Sequence, residues 1–275
     1  MTTIRAILAT LTCCVALSGV AFGQEDDPAA EAMDFAMHDA AYTMYHEIGH
    51  LLVGELGIPV LGKEEDAADA LAVILLLNDQ DDEIEAFNTL IDSADGWYFN
   101  AVKSTGSGVE DFSYYDEHSL DIQRAYAMVC LMVGKDPQEF RETAEIYEFD
   151  QQRQDDCAYT YDQAHTSWDA LLEPHTVTDT PGAEISVVYE EAGDYTEFAN
   201  ELQSREILEK AAAVVMNRYV LPGPVTFRAA LCGQANAFYS PSESQITYCY
   251  ELAENMYGLY LNDIANAGDE DTEEE

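Results

Sequence analysis

The residues best placed to do chemistry stand together in His46-Glu-Ile-Gly-His50. On a helix, residues four apart share a face, so both imidazoles can reach one metal ion. Glu47 then lies beside that ion, where it can take a proton from a bound water. Zinc suits such donors: a catalytic site needs three protein ligands and one open position, and the metal brings its water's pKa toward ~7. A third ligand is therefore required. Gly62-Lys-Glu-Glu-Asp-Ala-Ala-Asp69 follows a short turn and opens a second helix whose first turn can fold back toward His46 and His50. Glu65 and Asp69 share one face of it, a carboxylate ligand and a second acid able to orient an imidazole. Glu64 and Asp66 are adjacent alternatives. A further constellation, Tyr114-Tyr-Asp-Glu-His-Ser-Leu-Asp-Ile-Gln-Arg124, brings His118, Tyr114 and Tyr115 as groups that could hydrogen-bond a tetrahedral oxyanion. Asp121 and Arg124 read there as a local ion pair, and His38, His165 and His175 as structural.

Those side chains must be carried by helices. Met37, Ala41, Tyr45, Ile48 and Leu52 recur at steps of three and four, predicting a helix from Ala29 to Gly54. Gly57-Ile-Pro-Val-Leu-Gly62 breaks it, and the next helix starts near Glu64, its acidic first turn complementing the helix dipole. Further helices are expected near Asp82–Ser93, Ser119–Val133, Pro137–Glu148, Asp156–Leu172 and Tyr195–Tyr219, with a last one over Glu251–Ile264. The Pro- and Thr-rich stretch from Glu173 to Gly182 is the expected internal boundary. Val225–Leu231, Ala235–Tyr239 and Gln245–Tyr250 are short runs rich in β-branched and aromatic residues, the second and third forming a hairpin. The fold class that follows is α+β, mainly helical, with a small antiparallel sheet from the C-terminal part.

The ends of the chain read differently from its middle. Arg5, the apolar run Ile7 to Val20 and Ala21-Phe22-Gly23 make an expected signal peptide over residues 1–23, cleaved before Gln24. A single domain over 24–266 would follow, helical with the metal motif over 24–180 and helix, hairpin and helix over 181–266. An acidic tail, 267–275, closes the chain. Removal of Cys13 and Cys14 with the signal leaves Cys130, Cys157, Cys232 and Cys249. An even number in an exported chain points to disulfides, and proximity favours Cys130–Cys157 and Cys232–Cys249. Export places the protein in the periplasm or outside the cell, with no membrane attachment after cleavage.

The 275 residues are 48% hydrophobic, ample for a buried core. Against 11 Lys and Arg stand 54 Asp and Glu, a formal net charge of -43. Such a chain repels phosphate backbones and anionic lipid headgroups, which argues against nucleic acid as a partner.

In their order and wording these motifs resemble a family of exported bacterial proteins described as metallopeptidases. The likeness rests on His46–His50, Pro59–Asp69, Asp116–Arg124 and Cys130. Trp168-Asp-Ala-Leu-Leu-Glu-Pro174, Cys232-Gly-Gln-Ala-Asn-Ala-Phe-Tyr-Ser-Pro241 and Ile246-Thr-Tyr-Cys-Tyr-Glu-Leu252 extend it. In that family the hairpin precedes the metal helix, whereas here it comes last, as in a circular permutation; the hairpin should then still pack beside the metal helix. The spacing also resembles gluzincins, which implies Glu65 as third ligand and Asp69 as its supporting acid. The reading that results is a zinc-dependent peptidase acting on a peptide or protein, with Zn2+ as cofactor. Glu47 and His118 are its catalytic residues, and His46, His50 and Glu65 its metal ligands. A non-proteolytic zinc-fold protein of the cell envelope is the alternative.

Overall fold

A computed structural model describes residues 27–78, 82–104, 117–179 and 182–265. The expected signal peptide and acidic tail lie outside these, as do Tyr114, Tyr115 and Asp116. The long first helix, α1 (Pro28–Leu56), starts where Asp27 accepts a hydrogen bond from the Ala29 amide and Pro28 presets the first turn. It stops at Gly57, whose φ of 63° is a conformation that glycine adopts without penalty. Then come α2 (Glu64–Asn78), α3 (Glu83–Ser104), α4 (Asp121–Lys135), α5 (Arg141–Ile146) and α6 (Gln151–Leu172). Most of α1 beyond its first turn is buried, including Phe35, Tyr42, Met44, Ile48 and Leu52. It is the central rod of the molecule, touching α2, α3, two helices of the second half (Ile207–Arg218 and Tyr250–Leu259) and the sheet.

The α1–α2 contact positions the site. Gly49 faces Ala68 so closely that a Cβ at Gly49 would meet the Ala68 Cα at 2.8 Å. Only a glycine lets the two backbones approach so far, and the approach sets the first turn of α2 beside His46 and His50.

The second half contributes β1 (Ile185–Tyr189), α7 (Thr196–Ser204), α8 (Ile207–Arg218), β2 (Val225–Ala230), β3 (Ala237–Ser240), β4 (Gln245–Cys249) and α9 (Tyr250–Leu259). A π-helical turn, Tyr260–Ile264, extends α9. The strands lie in the order β1-β2-β4-β3. The expected hairpin is present, β3 pairing antiparallel with β4, and it packs against α1. Tyr239 of β3 lies over Gly54 and donates its hydroxyl to Glu55 at 2.7 Å.

Four expectations need correction. The sheet is mixed rather than antiparallel, since β1 pairs parallel with β2 and β2 parallel with β4. Its outer strand β1 was not anticipated; its exposure alternates, but its partner lies forty residues on. The helix expected over Tyr195–Tyr219 is two, broken where Glu206 takes a φ of 54° and Arg205 turns to Asp34 of α1. The helix expected to end at Ser93 runs to Ser104, and the one expected from Pro137 is confined to Arg141–Ile146.

Cys130–Cys157 and Cys232–Cys249 are both bridged, as spacing predicted. The first ties α4 to α6; the second ties the segment after β2 to the end of β4. Disulfides form and persist in oxidising surroundings. Within the expected boundary, Val177 N–H donates to Arg218 O of α8, and the buried side chains on either side form one continuous cluster. Among the described residues no helix is long and apolar enough to cross a membrane.

Candidate metal centre

His46 and His50 lie one turn apart on α1 with their Nε2 atoms 3.1 Å apart. Both face Glu65 of α2, whose Oε2 stands 3.2 Å from His46 Nε2 and 3.1 Å from His50 Nε2. A third imidazole joins them, since His118 Nε2 lies 3.0 Å from the same oxygen. His46, Glu65 and His118 also form a cluster of donor atoms compact enough to hold one metal ion.

Each motif histidine is held from behind by a carboxylate. His46 Nδ1 is 2.8 Å from Asp69 Oδ1, and His50 Nδ1 is 2.8 Å from Glu64 Oε1. A carboxylate on Nδ1 favours a proton there, which leaves the Nε2 lone pair for a metal. Asp69 is buried and fully engaged: Tyr42 donates its hydroxyl to Oδ1, and Arg124 donates Nε to Oδ2 and Nη2 to Oδ1. Arg124 in turn lies over the Trp97 ring, 3.7 Å from its centroid. Side chains of α1, α2, α3 and α4 thus converge behind one imidazole.

The electrostatics follow from that packing. Burial works against charge on His46, but hydrogen bonds to Asp69 and Glu65 outweigh it and raise its pKa to about 9. Burial likewise opposes the Asp69 and Glu65 carboxylates. The histidines and, for Asp69, Arg124 prevail and hold both well below the usual carboxylate range. Glu47 differs. Burial pushes it up, the charges of His46 and His50 offsetting only part, and its Oε2 is buried without a partner. The Tyr239 backbone amide of β3 serves Glu47 as a further hydrogen-bond donor.

His46, Glu47, His50, Glu65, Asp69 and His118 are therefore gathered in one place. Glu64, an alternative ligand by sequence, has its Oε1 on His50 Nδ1. Two roles escaped sequence reasoning, those of Arg124 and Tyr42. Arg124 pairs with Asp69, not with Asp121 as expected. Tyr42 completes Asp69 from three residues before Tyr45. The signal for Arg124 was its rarity, one of 11 cations in the chain, set beside the His118 motif. Of the histidines read as structural, His38 is clamped by Asp92 and Glu85, and His165 stacks on Tyr161.

Imidazole nitrogens and a carboxylate oxygen pointed at one another, with acids behind both motif rings, are donors of the kind that can hold a divalent metal ion. The chain belongs to the DUF4344 family, described as "Putative metallopeptidase", whose model matches residues 12–172 and 189–275. Membership implies a metal ion, and the residues that could hold one are present. No curated protein and no solved structure matched the chain.

Proposed function

We propose that the protein is an exported zinc-dependent peptidase in which His46, His50 and Glu65 hold the metal and Glu47 is the general base. What supports this most is one atom: Glu65 Oε2, within 3.2 Å of both motif Nε2 atoms. The two histidines, their Nδ1 atoms already engaged by Asp69 and Glu64, aim their remaining nitrogens at that one carboxylate, as three ligands of one metal would. A zinc ion there supplies Lewis-acid activation of water and of a peptide carbonyl. The rest falls to the chain's own residues. Glu47, adjacent to His46 and with its Oε2 unpartnered, accepts the water's proton. Burial raises its pKa, which makes it a better base than an exposed carboxylate and lets it pass the proton on to the leaving amine. His118, which meets the same Glu65 oxygen and is partly open to solvent, hydrogen-bonds the oxyanion as the carbonyl becomes tetrahedral. Asp69 and Glu64 hold the two rings in register, and Arg124 keeps Asp69 ionised.

The experiment that tests the chemistry is Glu47→Gln. The amide keeps the shape but cannot take a proton, so turnover of a peptide library should fall by about 10²-fold or more while bound zinc stays stoichiometric. Unchanged cleavage by that variant would remove Glu47 from the mechanism.

A further inference from the structure

A cavity of about 520 Å³ borders His46 and Glu47 and extends past them along α1 to Asp39. We propose that it is a specificity pocket which seats a lysine or arginine side chain of the substrate, with Asp39 as the group that receives the cation. The proposal rests on the peptidase reading for the peptide it invokes, but its binding test does not.

Four observations carry it. First, Asp39, Thr43, Glu47 and His50 lie on one stripe of α1, at steps of four, four and three. Asp39 is the cavity residue on α1 farthest from His46. At 1.5 Å per residue it sits about 12 Å along the axis from Glu47. By standard bond lengths an extended lysine, the backbone bonds to the neighbouring scissile carbonyl and a hydrogen bond span roughly the same distance.

Second, Asp39 lacks a partner for its charge. It is 5% exposed, and its Oδ2 is buried with no hydrogen bond. Thr43 serves the carboxyl on one side. Arg124, the sole Lys or Arg among the described lining residues, directs Nε and Nη2 to Asp69 instead. Burial holds the Asp39 carboxyl up at about 7, with Arg124 only partly offsetting it. Buried carboxylates are ordinarily paired, and an incoming ammonium or guanidinium would complete this one.

Third, the walls suit the stem of such a side chain. Trp97, Ala101, Leu120, Ile122, Leu252 and Met256 line the cavity and can cover methylene groups while the charged head reaches Asp39. Fourth, Asp39, Glu47 and Asp121 all border the space, so an acidic side chain is repelled there.

The test uses zinc-loaded Glu47→Gln protein, which binds without cleaving. Its binding to alanine hexapeptides carrying one lysine at successive positions is compared by calorimetry with the same peptides carrying norleucine or glutamate. At one position lysine should bind roughly tenfold or more tighter than norleucine, with glutamate weakest. Adding Asp39→Asn should bring lysine and norleucine within about threefold. No lysine preference at any position, or a preference that survives Asp39→Asn in a folded protein, overturns the proposal. A second readout needs no substitution at Asp39. The chain has 2 Trp, so Trp97 reports alone in a Trp168→Phe protein. n-Butylammonium should shift its emission saturably and n-butanol should not; equal effects count against the pocket. Wild-type protein that selects lysine but cleaves nothing would sink the peptidase reading and leave the pocket. Cleavage without basic preference would do the reverse.

Discussion

Asp69 accepts four hydrogen bonds from three side chains, and its burial makes each of them matter. Its depressed pKa means that its contribution to folding is complete above its unfolded value near 4 and is lost only as the pH falls through the lower folded one. His46 acts with the opposite sign. Its metal-free pKa of about 9 lies above the ordinary imidazole value of 6.5, so its stabilisation is full below 6.5 and fades as the pH rises through 9. Asp39, held up at about 7, also favours its protonated form in the fold. Mild acid therefore leaves these interactions in place, yet it protonates the imidazoles a metal needs. Zinc should be released on acidification toward about pH 5 while the far-ultraviolet circular dichroism is unchanged. Simultaneous loss of metal and helix would contradict this separation.

At the scale of elements, the site depends on how closely α1 and α2 cross. A methyl group at Gly49 would meet Ala68 at its Cα and Cβ, within 2.9 Å. Gly49→Ala should therefore push the helices apart, costing about 1–3 kcal/mol of stability and weakening zinc binding together. A variant with wild-type melting and wild-type metal affinity would show that the approach is not needed. The helices were legible because Met37, Ala41, Tyr45, Ile48 and Leu52 of α1 recur at helical steps and the acidic first turn of α2 marks its start. The hairpin β3–β4 was equally legible from its β-branched and aromatic runs and the turn between them. What stayed hidden was non-local. Strand β1 acquires its identity only from β2, and the break at Glu206 depends on Arg205 reaching Asp34 on a helix far away in sequence. The same holds in the site. Local spacing singled out His46, Glu47 and His50, and the family resemblance favoured Glu65 and Asp69 among the adjacent acids, whereas the Arg124–Asp69 pair joins α4 to α2 across fifty-five residues. Asp39 and Trp97 gave no motif, since a cavity is a property of assembled elements.

Over the whole molecule, a net charge of -43 on 275 residues sets the conditions under which the fold is stable. Ion pairs such as Arg228–Glu190 and Lys103–Asp263 engage several of the few cations, and 54 acids against 11 cations leave a large negative excess. Repulsion among exposed charges is screened over about 8 Å at physiological ionic strength and over longer distances in dilute buffer. The melting temperature should rise as sodium chloride is added from about 10 mM to about 0.5 M, by several degrees. A flat or falling curve would mean that the acids are compensated within the fold. The two disulfides brace the structure independently of salt, each worth about 2–4 kcal/mol.

The claim on which the rest depends is that His46, His50 and Glu65 make one metal site. Titration of metal-free wild-type protein with zinc, followed by calorimetry at about pH 7 in buffers of different ionisation enthalpy, tests it directly. The expected result is one zinc per chain, with protons released because His46 is charged in the metal-free protein. In Glu65→Ala the same titration should show binding weakened by about 10²-fold or more. No saturable binding to the wild type, or stoichiometric zinc of unchanged affinity in Glu65→Ala, would contradict the account.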